Sequence, residues 1–600
     1  MMVSNESLWS FLVHCRGFQV PKIFFLAVLL ALVPGCHGSS APTPATSTPQ
    51  PRAVETSSTE LAAPQIKDAD NAIQNGSPVT FLEHPLNDDA SYSNGSAASI
   101  NSIVETLGGG VATFDYDRDG IIDLFFAGGG RFTSSPAAEG LPSRLLRGDG
   151  SGRFRLVSAG AEASRYFSHG CWAADMDHDG FGDLLVTGYG GLQLLHNQGD
   201  GTFVPATETA RLVDSAWSTG AAWGDVNRDG NLDLYVAHYV DWSFQNHQAC
   251  DDPNGGRTEI CGPKHYGAVD DRLFLSNGDG TFDDATSFAG LVHGGKGLGV
   301  VMGDFDLDDD LDVYVANDTT ENFLYLNRGD GRFDEVGQLK GVALDDSGRP
   351  TGSMGVDLAD FDADGLPDLW TANYEHEIFG LYRNLGQGRY LHVSRPMGFA
   401  AIGDRYVGWG TGFADFDRDG DLDVIATTGH VKKFPETAAV KQQPLLWLQN
   451  GGRFARAIFP ADSYMGTPHE GRGLALTDFD DDGDVDVVIA HNDRQPAVLS
   501  NETVTEGGWL RVQLIGRQSS RDPVGARLGL RSGNQTVWRY IQGGGSYLSQ
   551  TDLRPHWGLP KGSQAESLEI HWPSGLVQVV DALQQNGTMI IIEPLDVRER

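Results

Sequence analysis

The sequence predicts an all-β protein: a seven-bladed β-propeller with acidic calcium loops, followed by a small β-sandwich-like domain. Three observations support this fold class. Glycine occupies 77 of 600 positions and proline only 27, a balance that indicates many tight turns. An acidic nine-residue motif occurs seven times, each time before a short apolar run of strand length. Beyond the last copy the acidic motif stops, although alternating, strand-like segments continue.

The N-terminal part is predicted to be an export signal and a tether. The apolar run at residues 23–33 is too short to span a bilayer but suits the core of a signal peptide. We assign residues 1–35 to that signal and residues 36–77, rich in Ser, Thr and Pro, to an extended tether. The run Val33-Pro34-Gly35-Cys36 resembles a bacterial lipobox. Two outcomes stay open: Cys36 is lipidated and anchors the chain at the cell envelope, or the chain is cleaved near Gly35 and released.

The charge of the chain limits its partners. There are 43 Lys and Arg against 81 Asp and Glu, a formal net charge of −38. Nucleic-acid binding requires a basic surface, so no nucleic-acid partner is expected. An anionic membrane surface is disfavoured for the same reason, which leaves the N-terminal lipid anchor as the expected membrane contact. Such acidity suits the capture of cations.

The repeated motif has the chemistry of a calcium loop. Carboxylates stand at positions 1, 3, 5 and 9, and position 6 is Gly except for Asp309. Hard oxygen donors select Ca²⁺ over Zn²⁺, and the backbone carbonyl of position 7 would add a further ligand. Of the 28 side-chain positions, 27 are Asp and one is Asn227, which predicts a weaker third site. Up to seven Ca²⁺ ions are expected. The candidate ligands are Asp115, Asp117, Asp119 and Asp123; Asp175, Asp177, Asp179 and Asp183; Asp225, Asn227, Asp229 and Asp233; Asp304, Asp306, Asp308 and Asp312; Asp360, Asp362, Asp364 and Asp368; Asp415, Asp417, Asp419 and Asp423; and Asp478, Asp480, Asp482 and Asp486.

The flanks of the motif predict one small antiparallel sheet per repeat. A strand-length apolar run follows each ninth-position Asp, and Gly-rich hairpin turns such as Gly278-Asp279-Gly280 come later in several repeats. Such a sheet cannot bury both of its faces alone, whereas seven sheets can close radially. Residues 78–505 therefore resemble the FG-GAP repeats of integrin-type propellers, and this resemblance implies both the fold and the binding of calcium.

Ring closure is predicted from a missing strand. Six repeats have an aromatic residue at the start of a last strand, whereas the seventh, after residues 497–501, has none. The segment Pro78-Val79-Thr80-Phe81-Leu82 has the composition of the absent strand. We expect it to pair with the last blade; the alternative is that it belongs to the tether. The six aromatic residues are Phe154, Phe203, Phe282, Phe333, Tyr390 and Phe454.

The C-terminal segment, residues 506–600, is predicted to be a separate β domain. It contains Gly543-Gly544-Gly545-Ser546-Tyr547-Leu548-Ser549-Gln550, then His556-Trp557-Gly558-Leu559, then Trp572-Pro573-Ser574-Gly575. These runs resemble the ASPIC/UnbV domain that follows such propellers in the cartilage acidic protein family, with Trp557 and Pro560 as departures from its pattern. The resemblance implies an extracellular, calcium-binding protein with an adhesive or scaffolding role.

Other candidate residues receive structural interpretations. Cys250 and Cys261 flank a turn-rich loop and are expected to form a disulfide in an exported protein. Cys171 is interpreted as a buried small hydrophobe rather than a nucleophile. Histidines 169, 238 and 376 could line a central funnel, and His556 and His571 could be catalytic, but we assign all five to structural or exposed positions.

The sequence predicts a non-enzymatic, calcium-stabilised surface protein that binds an extracellular protein or glycan. No catalytic residues are assigned, because the chain has no G-x-S-x-G, H-E-x-x-H or Walker motif. Two alternatives remain open. One is a calcium-dependent lyase or hydrolase of extracellular polysaccharide, which needs a cluster of Lys, Arg, Tyr or His in a groove beside a calcium loop. The other is an assembly subunit of an exported complex.

Overall fold

The computed structural model describes residues 77–595 except 134–135, 163, 253–254, 403–404 and 493. The predicted signal peptide, Cys36 and all but the last residue of the tether lie outside the described residues. Within them the chain is almost entirely strand and turn, which confirms the all-β prediction. No helix of this part has the length and apolar character to cross a bilayer.

Within the described residues the repeats form seven antiparallel sheets, six of them with four strands and the fourth with an additional fifth strand from the C-terminal segment. The first strand of each sheet contacts the first strand of the next, and that of the seventh contacts that of the first, so these strands surround a common centre. Glycines five residues before the acidic loops allow this approach. A β-carbon on Gly299 would lie 2.3 Å from the Met354 carbonyl oxygen of the next blade, and one on Gly355 would lie 2.0 Å from that of Trp409.

The strand bounds follow the repeats. From the inside outward, the first four blades are Val111–Phe114, Asp123–Phe126, Arg144–Gly148 and Phe154–Val157; Phe167–Ala174, Asp183–Tyr189, Gly191–Asn197 and Phe203–Pro205; Ser218–Gly224, Asp233–His238, Arg272–Ser276 and Phe282–Asp284; and Gly297–Gly303, Asp312–Asn317, Phe323–Asn327 and Phe333–Glu335. The fifth and sixth are Ser353–Ala359, Asp368–Asn373, Gly380–Asn384 and Tyr390–His392; and Gly408–Ala414, Asp423–Thr428, Leu445–Asn450 and Arg453–Arg456. The predicted aromatic residues stand at or next to the start of the outermost strand.

The seventh blade is completed by the N-terminal end of the described chain. Its own strands are Gly471–Thr477, Asp486–His491 and Ala497–Asn501, and the fourth is Phe81–His84. Phe81 pairs with Asn501 and His84 with Val498, which confirms the predicted closure. The paired strand begins three residues later than the predicted segment. Pro78 cannot donate to a ladder, and the Thr80 amide instead donates to Thr503 Oγ1.

Short elements lie in the connections between strands. The α-helical turns are Thr286–Ala289, Gly337–Lys340 and Ser394–Met397, and the 3₁₀ turns are Ser96–Ala98, Ile103–Thr106, Pro263–His265 and Phe399–Ile402. A small sheet combines Ser93–Asn94, Gly129–Phe132 and Ala138–Gly140. In the insert of blade three, Cys250–Asp251 pairs with Thr258–Glu259, and a disulfide joins Cys250 to Cys261.

The C-terminal domain consists of two sheets. One contains His556–Leu559, Gly508–Ile515 and Thr588–Ile592 in that order. The other contains Gln535–Tyr540, Arg527–Ser532, Ser567–His571 and Val577–Val580. Between them the chain leaves the domain, and Gly543–Gly544 pairs with the first strand of blade four.

Residues 543–552 fill the centre of the ring, where they contact the first strand of every blade. Gly544 pairs with Val301, and the Tyr547 side chain is fully buried with its ring 4.8 Å from that of Trp409. We call residues 543–552 the central segment. Its hydrogen bonds and close contacts reach Val111 of blade one, Cys171 and Ala173 of blade two, Trp223 of blade three, Val300 of blade four, Val356 of blade five, Thr411 of blade six, and Leu474 and Leu476 of blade seven.

Candidate metal centres

Each acidic loop connects the first strand of a blade to the second, and its ninth-position Asp begins the second strand. This Asp is buried and holds the loop together. In the fourth loop, Asp312 accepts the Phe305 amide through Oδ2 and the Asn327 amide through Oδ1, at 3.0 and 2.8 Å. The same pair of backbone bonds occurs in all seven loops. Because a carboxylate oxygen can accept two bonds, position 9 fixes the loop and can still face a cation.

Carboxylates at positions 1 and 3 face the inside of the loop. The position-1 Asp accepts the amides of positions 5 and 6 in several loops, as Asp360 does from Asp364 and Gly365 at 3.0 and 2.9 Å. The position-3 Oδ1 atom, by contrast, is buried without a hydrogen-bond partner among the described residues in five loops, at Asp117, Asp306, Asp362, Asp417 and Asp480. A buried carboxylate oxygen without a donor is costly, and a cation within the loop would satisfy it.

The carboxylate groups of the first and fourth loops lie close enough to share one ion. In the first loop, one oxygen each from Asp115, Asp117 and Asp123 lies within 4.8 Å of the others. The same holds for Asp304, Asp306 and Asp308 of the fourth loop. Two carboxylates about 4 Å apart repel by about 4 kcal/mol at an effective dielectric near 20. The donor set therefore fits a hard cation such as Ca²⁺.

Burial raises the pKa of these carboxyl groups. Desolvation raises the pKa of Asp123 and Asp233 to about 8 and that of Asp368 to about 9. It raises the pKa of Asp304 and Asp360, at position 1, to about 7, and the neighbouring carboxylates add to the effect. Without a metal ion, the loops therefore hold protons near neutral pH.

The backbone of the loops has a second position with positive φ, position 4, about which the sequence analysis made no prediction. Position 6 has positive φ as expected, at +85° to +97° for the glycines and 70° for Asp309. Position 4 also has positive φ, between 52° and 63°, in every loop, although none of its residues is glycine. The residues at position 4 are Arg118, His178, Arg228, Leu307, Ala363, Arg418 and Asp481.

In four places, the side chain at position 4 of one loop contacts the residue at position 7 of the next loop. Arg228 Nε lies 2.7 Å from Asp310 Oδ1, and Arg418 Nε lies 2.9 Å from Asp484 Oδ1. His178 lies beside Asn231, and Arg118 stands over the ring of Phe181 at 5.3 Å. Sequence analysis treated position 7 as indifferent to side chain and missed these links. Their signal was the co-occurrence of Arg at one position 4 and Asp at the following position 7.

A second missed set consists of cationic residues on the third strand. Arg147 Nη2 lies 2.8 Å from Asp117 and 2.7 Å from Asp119. Arg383 pairs likewise with Asp362 and Asp364, and His196 Nδ1 lies 2.9 Å from Asp183. The equivalent residues of the other blades are uncharged: Leu275, Leu326, Leu448 and Ser500. Arg147 and Arg383 thus pair with carboxylates of loops one and five, and the His196 ring contacts Asp183 of loop two, in each case at carboxylates that a metal ion would use.

The C-terminal domain covers the side of the ring on which the loops lie. Arg511 Nη1 lies 2.8 Å from Asp478 Oδ2 of the seventh loop, and Arg511 also pairs with Asp481. Arg521 Nε lies 3.1 Å from Asp175 Oδ2 of the second loop. A β-carbon on Gly558 would lie 2.1 Å from Asp415 Oδ2 of the sixth loop. Sequence analysis treated the two domains as independent and did not foresee this contact.

The five histidines considered from the sequence lie in separate environments. His169 and His238 are fully buried; the former lies 2.8 Å from the Tyr92 hydroxyl and the latter 2.8 Å from Asp214 Oδ2. His376 is exposed beside Thr437. His556 stacks on Trp509, and burial lowers its pKa to about 3. His571 and Glu569 lie on the same strand, and their side chains form a hydrogen bond. The central segment fills the funnel that we considered for the first three.

Cys171 is fully buried in the first strand of blade two, and burial raises the pKa of its thiol. A thiolate is therefore disfavoured, which agrees with the packing role predicted for this residue.

Comparison with known families identifies both parts of the chain. The FG-GAP-like repeat family matches residues 115–186, 175–236, 304–371 and 360–426, and the ASPIC and UnbV family matches residues 516–596. The chain thus contains FG-GAP-like repeats and a C-terminal ASPIC/UnbV domain, as the motifs predicted.

Among characterised proteins, the chain is similar to cartilage acidic protein 1. It is 27% identical to the Homo sapiens protein over 495 residues, covering 72% of each chain. It is 26% identical to the Xenopus tropicalis protein over 476 residues, covering 68% of this chain and 71% of the relative.

Two solved lectin structures resemble part of the fold. A lectin from Agrocybe aegerita that recognises N-acetylglucosamine gives a TM-score of 0.33 at 15% identity, covering 64% of this chain and 87% of that one. A lectin from Burkholderia pseudomallei gives 0.40 at 10% identity, covering 66% and 96%. Similarity at this level says nothing about a shared ligand.

Proposed function

We propose that the protein is an exported, calcium-binding, non-enzymatic surface protein that binds an extracellular protein or glycan, or acts as a scaffold for adhesion. The observation that carries the calcium assignment is the buried, unpartnered Oδ1 atom of the position-3 Asp, repeated in five loops. Solvated acidic turns would leave this atom accessible to water. A cation inside the loop would explain why the position-3 Oδ1 atom is buried in each of the five loops.

The ligand set of each proposed site follows the loop. Side chains at positions 1, 3 and 5 would bind the ion, the carbonyl of position 7 would join them, and position 9 would close the site. We expect the fourth and sixth loops to bind most tightly, because they have four carboxylates and no cationic side chain on the third strand, whereas in the seventh loop Arg511 already pairs with the position-1 Asp478. The third has Asn227, and the first, second and fifth must displace Arg147, His196 or Arg383.

Export is supported by the cysteines. The Cys250–Cys261 disulfide suits an oxidising compartment. Together with the predicted signal peptide, it favours a protein at the cell envelope, anchored through Cys36, or a secreted one.

The alternative, a calcium-dependent polysaccharide lyase or hydrolase, draws support from one feature. A cleft of about 370 Å³ beside the first two loops is lined by Arg118, Arg511, Arg521 and Arg554. Its described lining includes no Tyr, His or Lys to serve as a general base, and its carboxylates are engaged: Asp115 and Asp175 in the proposed calcium sites, Asp481 with Arg511, Asp552 with Arg554, and Asp522 with the Asp175 amide. Binding is therefore the function that the cleft supports better.

Two measurements test the proposal. Metal analysis of the purified chain should find several Ca²⁺ ions per molecule, and none after EDTA treatment. A glycan and protein array should give binding signals that EDTA removes and added Ca²⁺ restores. A chain without bound calcium at millimolar Ca²⁺, or array signals indifferent to EDTA, would refute the calcium-dependent binder. Turnover of an acidic polysaccharide on the same array would favour the alternative.

A further inference from the structure

The cleft between blades one and two and the C-terminal domain has the dimensions of a small-ligand site. One side is formed by Phe114 and the first two acidic loops. The other is formed by Gln513 and Ile590, which are register partners in the parallel strands Gly508–Ile515 and Thr588–Ile592. Cavities of several hundred Å³ at domain interfaces are common ligand sites.

Two guanidinium groups converge at this cleft. Arg118 Nη1 and Arg521 Nη2 lie 2.6 and 3.1 Å from the point where a β-carbon on Gly180 would stand. Glycine leaves that point open, and the two arginines come from different domains. Two like charges this close repel each other, and an anion between them removes the repulsion. Guanidinium groups bind carboxylates through paired, planar hydrogen bonds.

The other arginines of the cleft are already paired, and its carboxylates are Asp115 and Asp175 of the proposed calcium sites, together with Asp481, Asp522 and Asp552. Arg511 pairs with Asp478, and Arg554 makes a bidentate pair with Asp552. Arg521 holds Asp175 through Nε, which leaves its terminal nitrogens for another partner. Arg118 makes no ion pair or hydrogen bond with any described residue and only stands over the Phe181 ring. Arg118 is therefore the uncommitted charge of the cleft.

The opposite side offers a polar group beside an apolar one. The Gln513 side chain is exposed and makes no hydrogen bond to another described residue. Ile590 next to it is 62% exposed, although it lies in a strand. A sugar ring has an apolar C–H face and an edge of hydroxyls, and it matches this pair of neighbours. A bare inorganic anion would use the arginines and leave the isoleucine exposed.

We propose that this cleft binds a uronic-acid-bearing saccharide, with the carboxylate between Arg118 and Arg521 and the sugar ring against Ile590 and Gln513. The proposal rests on the proposed function as a glycan-binding surface protein, and it adds the site and the class of ligand.

The test is calorimetric titration of the full chain, in calcium, with a galacturonic acid disaccharide. The wild-type chain should bind it, and Arg118→Ala should weaken binding about tenfold or more, the loss of a charge-assisted contact. Alanine is accepted at this backbone position, because Ala363 occupies it in the fifth loop with φ 56°. Arg328→Ala, which removes an exposed arginine paired with Asp334 on the outer edge of blade four, is the matched control and should bind normally.

Further ligands distinguish binding of a uronic acid from binding of a neutral sugar, an inorganic anion or an acidic peptide. A neutral galactose disaccharide and sulfate should bind much more weakly than the diuronate, and an aspartate-rich peptide should not compete with it. The proposal is overturned if the diuronate does not bind, if Arg118→Ala binds like Arg328→Ala, or if the neutral sugar or the peptide binds equally well. Thermal melting of the same samples with and without EDTA reports on calcium separately, so a failed titration alone leaves the calcium-bound propeller standing.

Discussion

The repeats and the C-terminal domain stabilise the same molecule by opposite means. Each blade concentrates three to six acidic side chains in one loop, and the ring repeats this arrangement seven times. The C-terminal domain has no such loop; it presents Arg511 and Arg521 to the acidic face and sends the central segment into the ring. The comparison shows that arginines of the neighbouring domain offset part of the negative charge on this face, and the proposed cations within the loops would offset the rest.

Calcium removal should have the largest effect. A site at 100 times its dissociation constant contributes about 2.7 kcal/mol, and several sites together rival a typical total stability of about 5–15 kcal/mol. We expect EDTA to lower the melting temperature by more than about 10 °C. Hydrogen exchange should increase more in the acidic loops than in the C-terminal strands Ser567–His571 and Arg527–Ser532. Added calcium should reverse both changes, and an unchanged melting curve in EDTA would contradict the comparison.

The second-largest loss of stability is expected from truncation of Tyr547, the side chain that anchors the central segment in the ring. Tyr547 is fully buried, contacts Trp409 and donates its hydroxyl to the Leu107 carbonyl at 3.1 Å. Tyr547→Ala should cost about 3–5 kcal/mol, as for other large buried aromatic residues. Tyr547→Phe should cost about 1 kcal/mol for the hydrogen bond. Val579→Ala, at a side chain that is 58% exposed, should lie within about 0.5 kcal/mol of the wild type. Equal denaturation midpoints for Tyr547→Ala and Val579→Ala would show that the segment is not structural.

The repeats could be predicted from the sequence because each repeat contains the local signals of its own strands and turns. The spacing of Asp and Gly, the strand-length runs and the terminal aromatics are local signals, and they recur often enough to exclude chance. The strand Phe81–His84 was predicted by comparing the repeats, because the last repeat has one strand fewer than the others. The start of this strand was misplaced because Pro78 and Thr80 have strand composition but bond outside the ladder.

Contacts between segments that are far apart in the chain could not be predicted from the sequence. Gly543-Gly544-Gly545 was noted only as part of the C-terminal motif, yet its glycines are required by the approach of other strands: a β-carbon on Gly543 would lie 2.0 Å from the Trp223 carbonyl oxygen. The positive φ of position 4 was hidden because residues as different as Arg418 and Leu307 adopt it. These features depend on which segments meet, and no local pattern encodes that.

The pH dependence of stability should reverse when calcium is removed. In the metal-free fold, burial raises the pKa of Asp123 and Asp233 to about 8, against about 4 in an unfolded chain. The folded state therefore holds more protons between these values, and metal-free stability should fall as pH rises from about 4 to about 8. Calcium binds the ionised loops, so its stabilisation should grow over the same range. Melting temperatures at pH 5.5 and pH 8, with EDTA or with calcium, should change in opposite directions; parallel changes would contradict the assignment of protons and metal to the same carboxylates.

Single-loop substitutions should have smaller effects that depend on the neighbouring strand. Asp362→Ala removes a proposed ligand of the fifth loop and should weaken or empty that site. The same change at Asp306 in the fourth loop should cost more affinity, because Asp362 is already paired with Arg383, whereas Leu326 stands at the equivalent position beside Asp306. Metal counting by native mass spectrometry checks both variants. Full occupancy and wild-type affinity in both would contradict the ligand assignment.

The smallest and most diagnostic effect is expected at Asn227. Its Nδ2 atom donates to Asp229 Oδ2 at 3.1 Å, so this loop is partly satisfied without a metal ion. Asn227→Asp replaces that hydrogen bond with a repulsion between exposed carboxylates of about 1 kcal/mol, and should slightly lower the melting temperature in EDTA. In calcium the added carboxylate becomes a ligand, so the same variant should melt at or above the wild-type temperature, and the third site should bind calcium several-fold more tightly. Asn231→Asp, which adds the same charge at position 7, where the backbone carbonyl is the proposed ligand, should not raise affinity as much. A variant whose melting temperature falls equally with and without calcium would show that the third loop does not hold a metal ion.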